Sequence, residues 1–322
     1  MARGLAHGER LREDAVRLVR LYLRPTVGDA RAELLAAARK LEQQIPPAYV
    51  EEMRGVAAGA AVSYDDVLLA NTLPDLLKVA QCTVVGMMSD DDEPVVARNL
   101  DYFNAPILAG STVVTNTIPE SGLRHAAIGF PLLVGVYSGM NEAGLTIAAV
   151  EVYGGRRGAA SGATPYGIVY REILDTCRTI DEAIAVLQRH RIVTQQNVVL
   201  ADEREVAVVQ YDRAKVARVE SVGGTAFAIN AFVGDAAYNA DVRFQVFQER
   251  AQHLDSVSKL EAFLRETALP GMNVQSILFY PRRRAFSVAS GAVPAAEQSF
   301  VDYILPFWSR RTGADWKASE ER

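Results

Sequence analysis

The chain has 322 residues, 49% apolar and 23% charged, with a net charge of −5. That is an ordinary globular balance, long enough for a large core. The absence of a basic stripe argues against a nucleic-acid partner, and no apolar run reaches the length of a membrane span. Two cysteines, Cys82 and Cys177, and four scattered histidines give no metal-ligand spacing, so neither metal nor cofactor is expected.

In chain order, residues 1–81 read as almost entirely helical. Val16, Leu18 and Val19 mark one apolar face, which Pro25 is expected to end. Residues 28–43 are rich in strong helix formers, and Pro46-Pro47 breaks the chain before a helix over about 48–60. Ser63, three residues before Asp66, predicts an N-cap for a fourth helical run that reaches Ala80, with Pro74 inside it. No signal peptide interrupts this reading, which points to the cytoplasm.

At residue 82 the grain changes to β-branched runs. Cys82 to Met88 and Pro94 to Tyr102 flank the acidic stretch Ser89–Glu93 and predict a β-hairpin. The start of one strand then lies beside the end of the other, bringing Cys82 near Arg98, Asn99 and Asp101. A thiol beside a guanidinium is a candidate nucleophile, because the thiolate reacts and a nearby cation favours it. Further strands are expected at 111–115, in two segments joined by the turn Asn141–Gly144, and at 196–201, 205–210, 216–222 and 226–230. Two more follow near 274–280 and 285–289. Helices begin at Thr164-Pro165 and at the capping box Thr179–Glu182, and cover about 241–254 and 257–267. Cys177, inside a helical pattern, reads as an inert buried thiol. This order predicts an α+β sandwich with mostly antiparallel sheets behind a helical N-terminal segment.

Cys82-Thr83, the hairpin, and Arg98-Asn99-Leu100-Asp101-Tyr102 together resemble the catalytic hairpin of the N-terminal-nucleophile hydrolases. The branch is that of choloylglycine hydrolase, acid ceramidase and penicillin acyltransferase. The pattern Gly139-Met140-Asn141 followed by Gly144-Leu145 is similar to a recurrent motif of the same branch. The resemblance implies a four-layer αββα fold and a zymogen that cuts itself between Gln81 and Cys82. Residues 1–81 would become a helical leader subunit and 82–322 the hydrolase core, within one structural domain. The freed α-amine of Cys82 would be the general base; its ordinary pKa, about 7.7–8.0, suits that task.

By the same resemblance Cys82, Arg98, Asp101 and Asn230 are catalytic, with Asn230 as an oxyanion donor and Asp101 orienting the amine or paired with Arg98. Tyr102, Glu151 and Arg243 are assigned to substrate binding. Glu151 stands where bile-salt hydrolases carry an asparagine, and a helix-surface role for Arg243 fits equally well. The expected activity is autocatalytic activation, then cleavage of a small linear acyl amide, or transfer of its acyl group, through a Cys82 thioester. Two alternatives remain at this stage: a phospholipase B-like esterase on the same fold, and a non-catalytic ligand-binding relative. A papain-like mechanism would require His190 or His253 beside Cys82. In the resembled family a strand precedes the segment Gly4-Leu5-Ala6-His7-Gly8, so an earlier segment, and export with it, stays open. Homo-oligomerisation stays open too.

Overall fold

A computed structural model describes residues 1–77, 80–153, 161–213, 215–219 and 224–304. The N-terminal helical segment, called the leader below for its position alone, comprises α1 (Ala2–Arg10), α2 (Arg12–Leu18), α3 (Arg24–Val27), α4 (Arg31–Glu42), α5 (Pro47–Ala60) and α6 (Tyr64–Leu76). α1 lies directly on α5. A Cβ on Gly4 or Gly8 would meet α5 backbone at 2.0 and 2.3 Å, and one on Gly55 or Gly59 would meet α1 as closely, so the backbones touch where only glycine fits. Pro25 does not end its helix. It has no N–H for the preceding turn, and the chain passes through a π-turn, Val19–Leu23, in which Arg24 N–H bonds Val19 O. The Ser63 cap forms as expected, its hydroxyl accepting from the Asp66 N–H at 3.1 Å.

The fourth helical run is shorter than expected. α6 stops at Leu76, residues 78–79 lie outside the described residues, and Ala80 already begins β1 (Ala80–Met88). Cys82 is therefore the third residue of a continuous strand, not the first. β1 pairs with β2 (Pro94–Tyr102), so that Cys82 faces Leu100 and Val84 faces Arg98. After α7 (Ala105–Ala109) come β3 (Val113–Thr117), β4 (His125–Gly129), β5 (Ser138–Asn141) and β6 (Thr146–Glu151). β3 sits two residues later than read, and β4, with only one β-branched residue, was not anticipated. The Asn141 turn is present. Its side-chain oxygen accepts from the Ala143 and Leu145 N–H groups, and Gly144 takes φ +84°.

Helices α8 (Tyr166–Thr176) and α9 (Ile180–Arg189) follow, the second capped by Thr179. Cys177 lies just past the end of α8, buried. Then come β7 (Gln195–Ala201), β8 (Val206–Asp212), β9 (Lys215–Val219) and β10 (Ala226–Ala228); residues 220–222 of the expected strand lie outside the described residues. The chain closes with α10 (Ala236–Ala240), α11 (Val242–Arg250), α12 (Val257–Thr267), β11 (Asn273–Tyr280), β12 (Ala285–Ala289) and an unanticipated β13 (Val301–Ile304).

Two antiparallel sheets result. One has the order β10-β1-β2-β11-β12-β13, and the other runs β3 to β9 in sequence order. Alternation along β1 and β2 sorts their residues. Cys82, Val84, Val96 and Leu100 face the core between the sheets, whereas Val85, Met87, Val95 and Ala97 face α11 and α12. The second sheet packs its outer face on α8 and α9. The architecture is thus the α+β four-layer sandwich. Apolar leader residues, among them Leu18, Leu23, Val56 and Leu73, belong to the same cluster as the inter-sheet core. Among the described residues no helix is long and apolar enough to cross a membrane, and no cluster of three metal-ligating side chains occurs.

Candidate active site

Cys82 is 3% exposed. Its thiol borders a cavity of about 20 Å³, room for one water, walled by Ala80, Arg98, Tyr102, Tyr137, Glu151 and Tyr166 among others. Arg98, on the same inner face, is buried too. Its guanidinium donates to Cys82 Sγ at 3.5 Å, to Ala149 O at 3.0 Å, to Tyr137 O at 3.2 Å and to the Ser138 hydroxyl. β5 and β6 therefore aim the cation at the thiol. Burial pushes the Cys82 thiol above its ordinary pKa, and Arg98 works against that rise. Burial thus favours the thiol over the thiolate.

The expected pairing of Arg98 with Asp101 does not form among the described residues. Three positions separate them, and odd spacing in a strand puts them on opposite faces. Asp101 points away from the thiol, across from Gln81 in register, and accepts from Leu269 N–H at 3.4 Å. Burial raises its carboxyl to about 7, only partly offset by Asn273 and Arg243. Asn99 shares that outer face and bonds Leu264 O and Thr267, a structural anchor to α12.

Asn230 and Arg243 meet at the backbone of Cys82. Asn230 Oδ1 accepts the Cys82 N–H at 3.0 Å, while its Nδ2 donates to Glu151 O at 2.7 Å. Arg243, 4% exposed, reaches Cys82 O at 2.9 Å, Asn230 Oδ1 at 3.2 Å and the Thr83 hydroxyl at 3.4 Å. A helix-surface role for Arg243 is therefore excluded by its burial. Tyr102 and Glu151 both wall the thiol cavity, and Tyr102 packs edge-on against Tyr22 of the leader and against Phe130. Next to it lies an apolar chamber of about 40 Å³, sharing Pro74, Tyr102 and Tyr137 with the thiol cavity.

His190 bonds Glu172 and Thr164, and among the described residues neither it nor His253 contacts Cys82. Three residues at the site escaped sequence reasoning. Asn197 of β7 donates to both Ile229 O and Ala231 O, clasping the bend that presents Asn230. Asp241 caps α11 and holds Arg243 through Nε at 2.9 Å and the second amino group at 2.7 Å. Tyr153 donates its hydroxyl to Ala80 O and its N–H to Asn230 O at 2.6 Å. Only Asp241 left a signal, two positions before an arginine at a helix start.

Comparison with known proteins follows this geometry. A family model described as acyl-coenzyme A:6-aminopenicillanic acid acyl-transferase matches residues 87–260, more than half of the chain. A rabbit (Oryctolagus cuniculus) N-acylethanolamine-hydrolyzing acid amidase is 28% identical over 146 residues, 44% of this chain and 40% of that protein. An uncharacterized protein of Archaeoglobus fulgidus is 29% identical over 134 residues, 34% of this chain and 22% of that one. The chain thus spans less than half the length of these curated relatives. The solved structure of the Caenorhabditis elegans ortholog of N-acylethanolamine-hydrolyzing acid amidase superposes with a TM-score of 0.51 at 18% identity. It covers 70% of this chain and 100% of the other, a likeness of fold.

Proposed function

The chain belongs to the acyl-coenzyme A:6-aminopenicillanic acid acyl-transferase family, and from that membership and the surroundings of Cys82 we propose that it is a self-processing cysteine amide hydrolase or acyltransferase. In the first step Cys82 Sγ attacks the carbonyl of Gln81 and displaces the Cys82 nitrogen, giving a thioester. Water hydrolyses the thioester, leaving the Gln81 carboxylate, the free thiol and a new α-amine. That amine then accepts the thiol proton, and the thiolate attacks the carbonyl of a substrate amide. The tetrahedral oxyanion collapses as the leaving amine takes the proton. Water, or an acceptor amine, resolves the acyl-enzyme.

The observation that carries the reading is the 3.0 Å bond from the Cys82 N–H to Asn230 Oδ1. The nitrogen that would become the base is already held by the residue whose amide group would bind the oxyanion. Nδ2 is spent on Glu151 O in the intact chain, so the donor is released only when the strand end relaxes after the cut. Arg98 favours the thiolate by its charge. Arg243 fixes the Cys82 carbonyl, and Asp241 fixes Arg243. The buried Asp101, opposite Gln81 in register, would face the new ammonium. Tyr102 and Glu151 wall the space where the acyl carbon must arrive.

The substrate class follows the name of the rabbit relative and the apolar chamber beside the thiol: an N-acyl amine with an apolar acyl group. The test is the N-terminal sequence and intact mass of purified protein, followed by turnover of N-acylethanolamines against phospholipids. Segments 1–81 and 82–322, staying associated, are expected, with amide turnover exceeding phospholipid turnover. Full activity in protein that mass shows to be wholly uncut would defeat the reading, because the α-amine base would not exist. Unselective labelling of Cys82 and Cys177 by a thiol probe in the cut protein would favour an inert binding protein.

A further inference from the structure

A cleft of about 380 Å³ lies between α1, the edge strand β3 with its neighbour β4, and residues 130–136. None of the residues lining it lines the cavity at Cys82. Clefts of this size, apolar in part and carrying a few convergent polar groups, are the usual form of a small-ligand site.

Its charge is one-sided. Arg3, Arg10 and Arg171 line it against a single carboxylate, Glu52. Arg3 is taken up by Glu52, with its Nε at 2.9 Å, and Arg171 by Asp175, Glu52 and Val134 O. Arg10, exposed in the last turn of α1, has no partner among the described residues. An anion entering the cleft would meet an unspent guanidinium at the rim.

The histidines supply the complementary feature. His7 Nε2 lies 2.7 Å from Pro131 O and must carry the hydrogen, which leaves Nδ1 with a lone pair. His125 Nδ1 lies 3.1 Å from Asp175 Oδ1, so its hydrogen is spent there. His125 Nε2, without a partner among the described residues, is fully buried and has no surface open to the cleft, so the acceptor left to the cleft is His7 Nδ1. Burial holds the His125 ring in its neutral form despite Asp175. Leu11, Ile128, Leu133 and Val134 complete an apolar wall.

We propose that this cleft is a second ligand site, separate from the thiol, and that it takes a small hydroxy acid with an apolar body. The carboxylate meets Arg10, the hydroxyl hydrogen meets the lone pair of His7 Nδ1, and the body lies on the aliphatic wall. The site draws Arg3 and Arg10 from the leader, Arg171 from α8 and its floor from β4, so it needs both segments whether or not the chain is cut. It stands independently of the proposed activity.

The test is calorimetric titration of the full chain with 3-phenyllactate. Its comparators are 3-phenylpropionate, which lacks the hydroxyl, 3-phenyllactamide, which lacks the charge, and inorganic phosphate. One saturable site is expected for 3-phenyllactate, with each comparator weaker by about tenfold or more. Arg10→Ala, on an exposed helical turn, should fold as the parent and lose about tenfold in affinity. Nitrogen-15 spectra should show the His7 Nδ1 resonance move on titration. No binding of 3-phenyllactate, or unchanged affinity in Arg10→Ala, overturns the proposal. Phosphate binding as tightly as 3-phenyllactate overturns it too, since the cleft would then be only a patch of positive charge.

Discussion

Asn197 donates both hydrogens of its side-chain amide, at 2.8 Å each, to the carbonyls of Ile229 and Ala231, the two residues that flank Asn230. The chain bends between these carbonyls, where Ile229 and Ala231 form an isolated bridge, and Asn230 projects from the bend to the Cys82 N–H. A residue of the second sheet thereby sets the placement of a residue just past the end of β10 in the first.

Asn197→Ala leaves two buried carbonyls without donors, at a cost of about 1–3 kcal/mol each. The bend should loosen and carry Asn230 out of line. On the proposed mechanism kcat falls by about 10- to 100-fold with KM little changed, since a small misplacement of an oxyanion donor costs that much. A folded variant with parental kcat, checked by circular dichroism, would show that the clasp serves stability alone.

Asn230→Ala should be more severe than Asn197→Ala. It removes the acceptor of the Cys82 N–H together with the amide donor, and an oxyanion donor is worth about 10²–10³ in kcat. Asn230→Asp should be no better, because a carboxylate repels the developing charge. Steady-state kinetics on protein verified as cut separates this loss from a failure of processing.

The two cysteines make a matched control. Cys82→Ala should abolish both processing and turnover while keeping the fold, for the methyl replaces a thiol in a cavity of only about 20 Å³. Cys177→Ala should keep activity and lose up to about 2 kcal/mol of stability through a small void beside Leu174 and Ile180. The reverse pattern of activities would remove Cys82 from the site.

Several of these relations were open to reading in the sequence, and others were not. Cys82 and Arg98 sit in a hairpin whose alternation puts both on one face, and the motif announced it. The same alternation separates Arg98 from Asp101, a consequence of their odd spacing that the expected ion pair overlooked. For Arg243 a helix-surface role fitted as well as a place at the site, because its local pattern, one arginine in the first turn of α11, carries no mark of burial; the capping carboxylate Asp241 is what turns it inward. Asn197 could not be found by spacing at all, since its partners lie 32 and 34 positions away and are backbone atoms. β4 escaped because His125-Ala-Ala-Ile-Gly129 has little β propensity and is a strand by virtue of its neighbours.

Stability should depend on pH in two opposed ways, best measured on uncut Cys82→Ala protein so that one species is present. Glu52 and Asp175 tie the leader to the body. Glu52 binds Arg3 and Arg171, and Asp175 binds Arg171, His125 and the Tyr49 hydroxyl. Burial alone would raise both carboxyls, but these partners hold them below the ordinary range. Their contribution is complete above the unfolded carboxyl value of about 4 and is lost as pH falls through the folded values. His125, lowered by burial, adds to the loss below about pH 6.5, where the unfolded chain takes up its proton first. Asp101 acts in the other direction. Its folded value of about 7 lies above the unfolded one, so its contribution is present at low pH and is lost as pH rises from about 4 to 7. Glu52→Gln should flatten the acid limb of the melting-temperature profile, and Asp101→Asn should remove the decline between about pH 4 and 7. Parallel profiles for Asp101→Asn and its parent would contradict the raised carboxyl.

Arg243→Lys is the sharpest probe of the backbone clamp. The guanidinium uses Nε and one amino group on Asp241, and the other amino group on Cys82 O, Asn230 Oδ1 and Thr83. A planar fork can hold the carboxylate edge-on while its far nitrogen reaches the strand. A lysine ammonium is a single point and must abandon one side or the other. Charge is conserved, so a purely electrostatic role predicts near-parental behaviour. A geometric role predicts slow self-cleavage and a kcat lower by about 10-fold or more, with Asp241→Asn showing a milder form of the same defect because one charged bond survives as a neutral one. Cleavage time courses followed by intact mass, with kinetics on the material that does cut, distinguish the two; equal rates for Arg243→Lys and the parent would leave the clamp without a part in the chemistry.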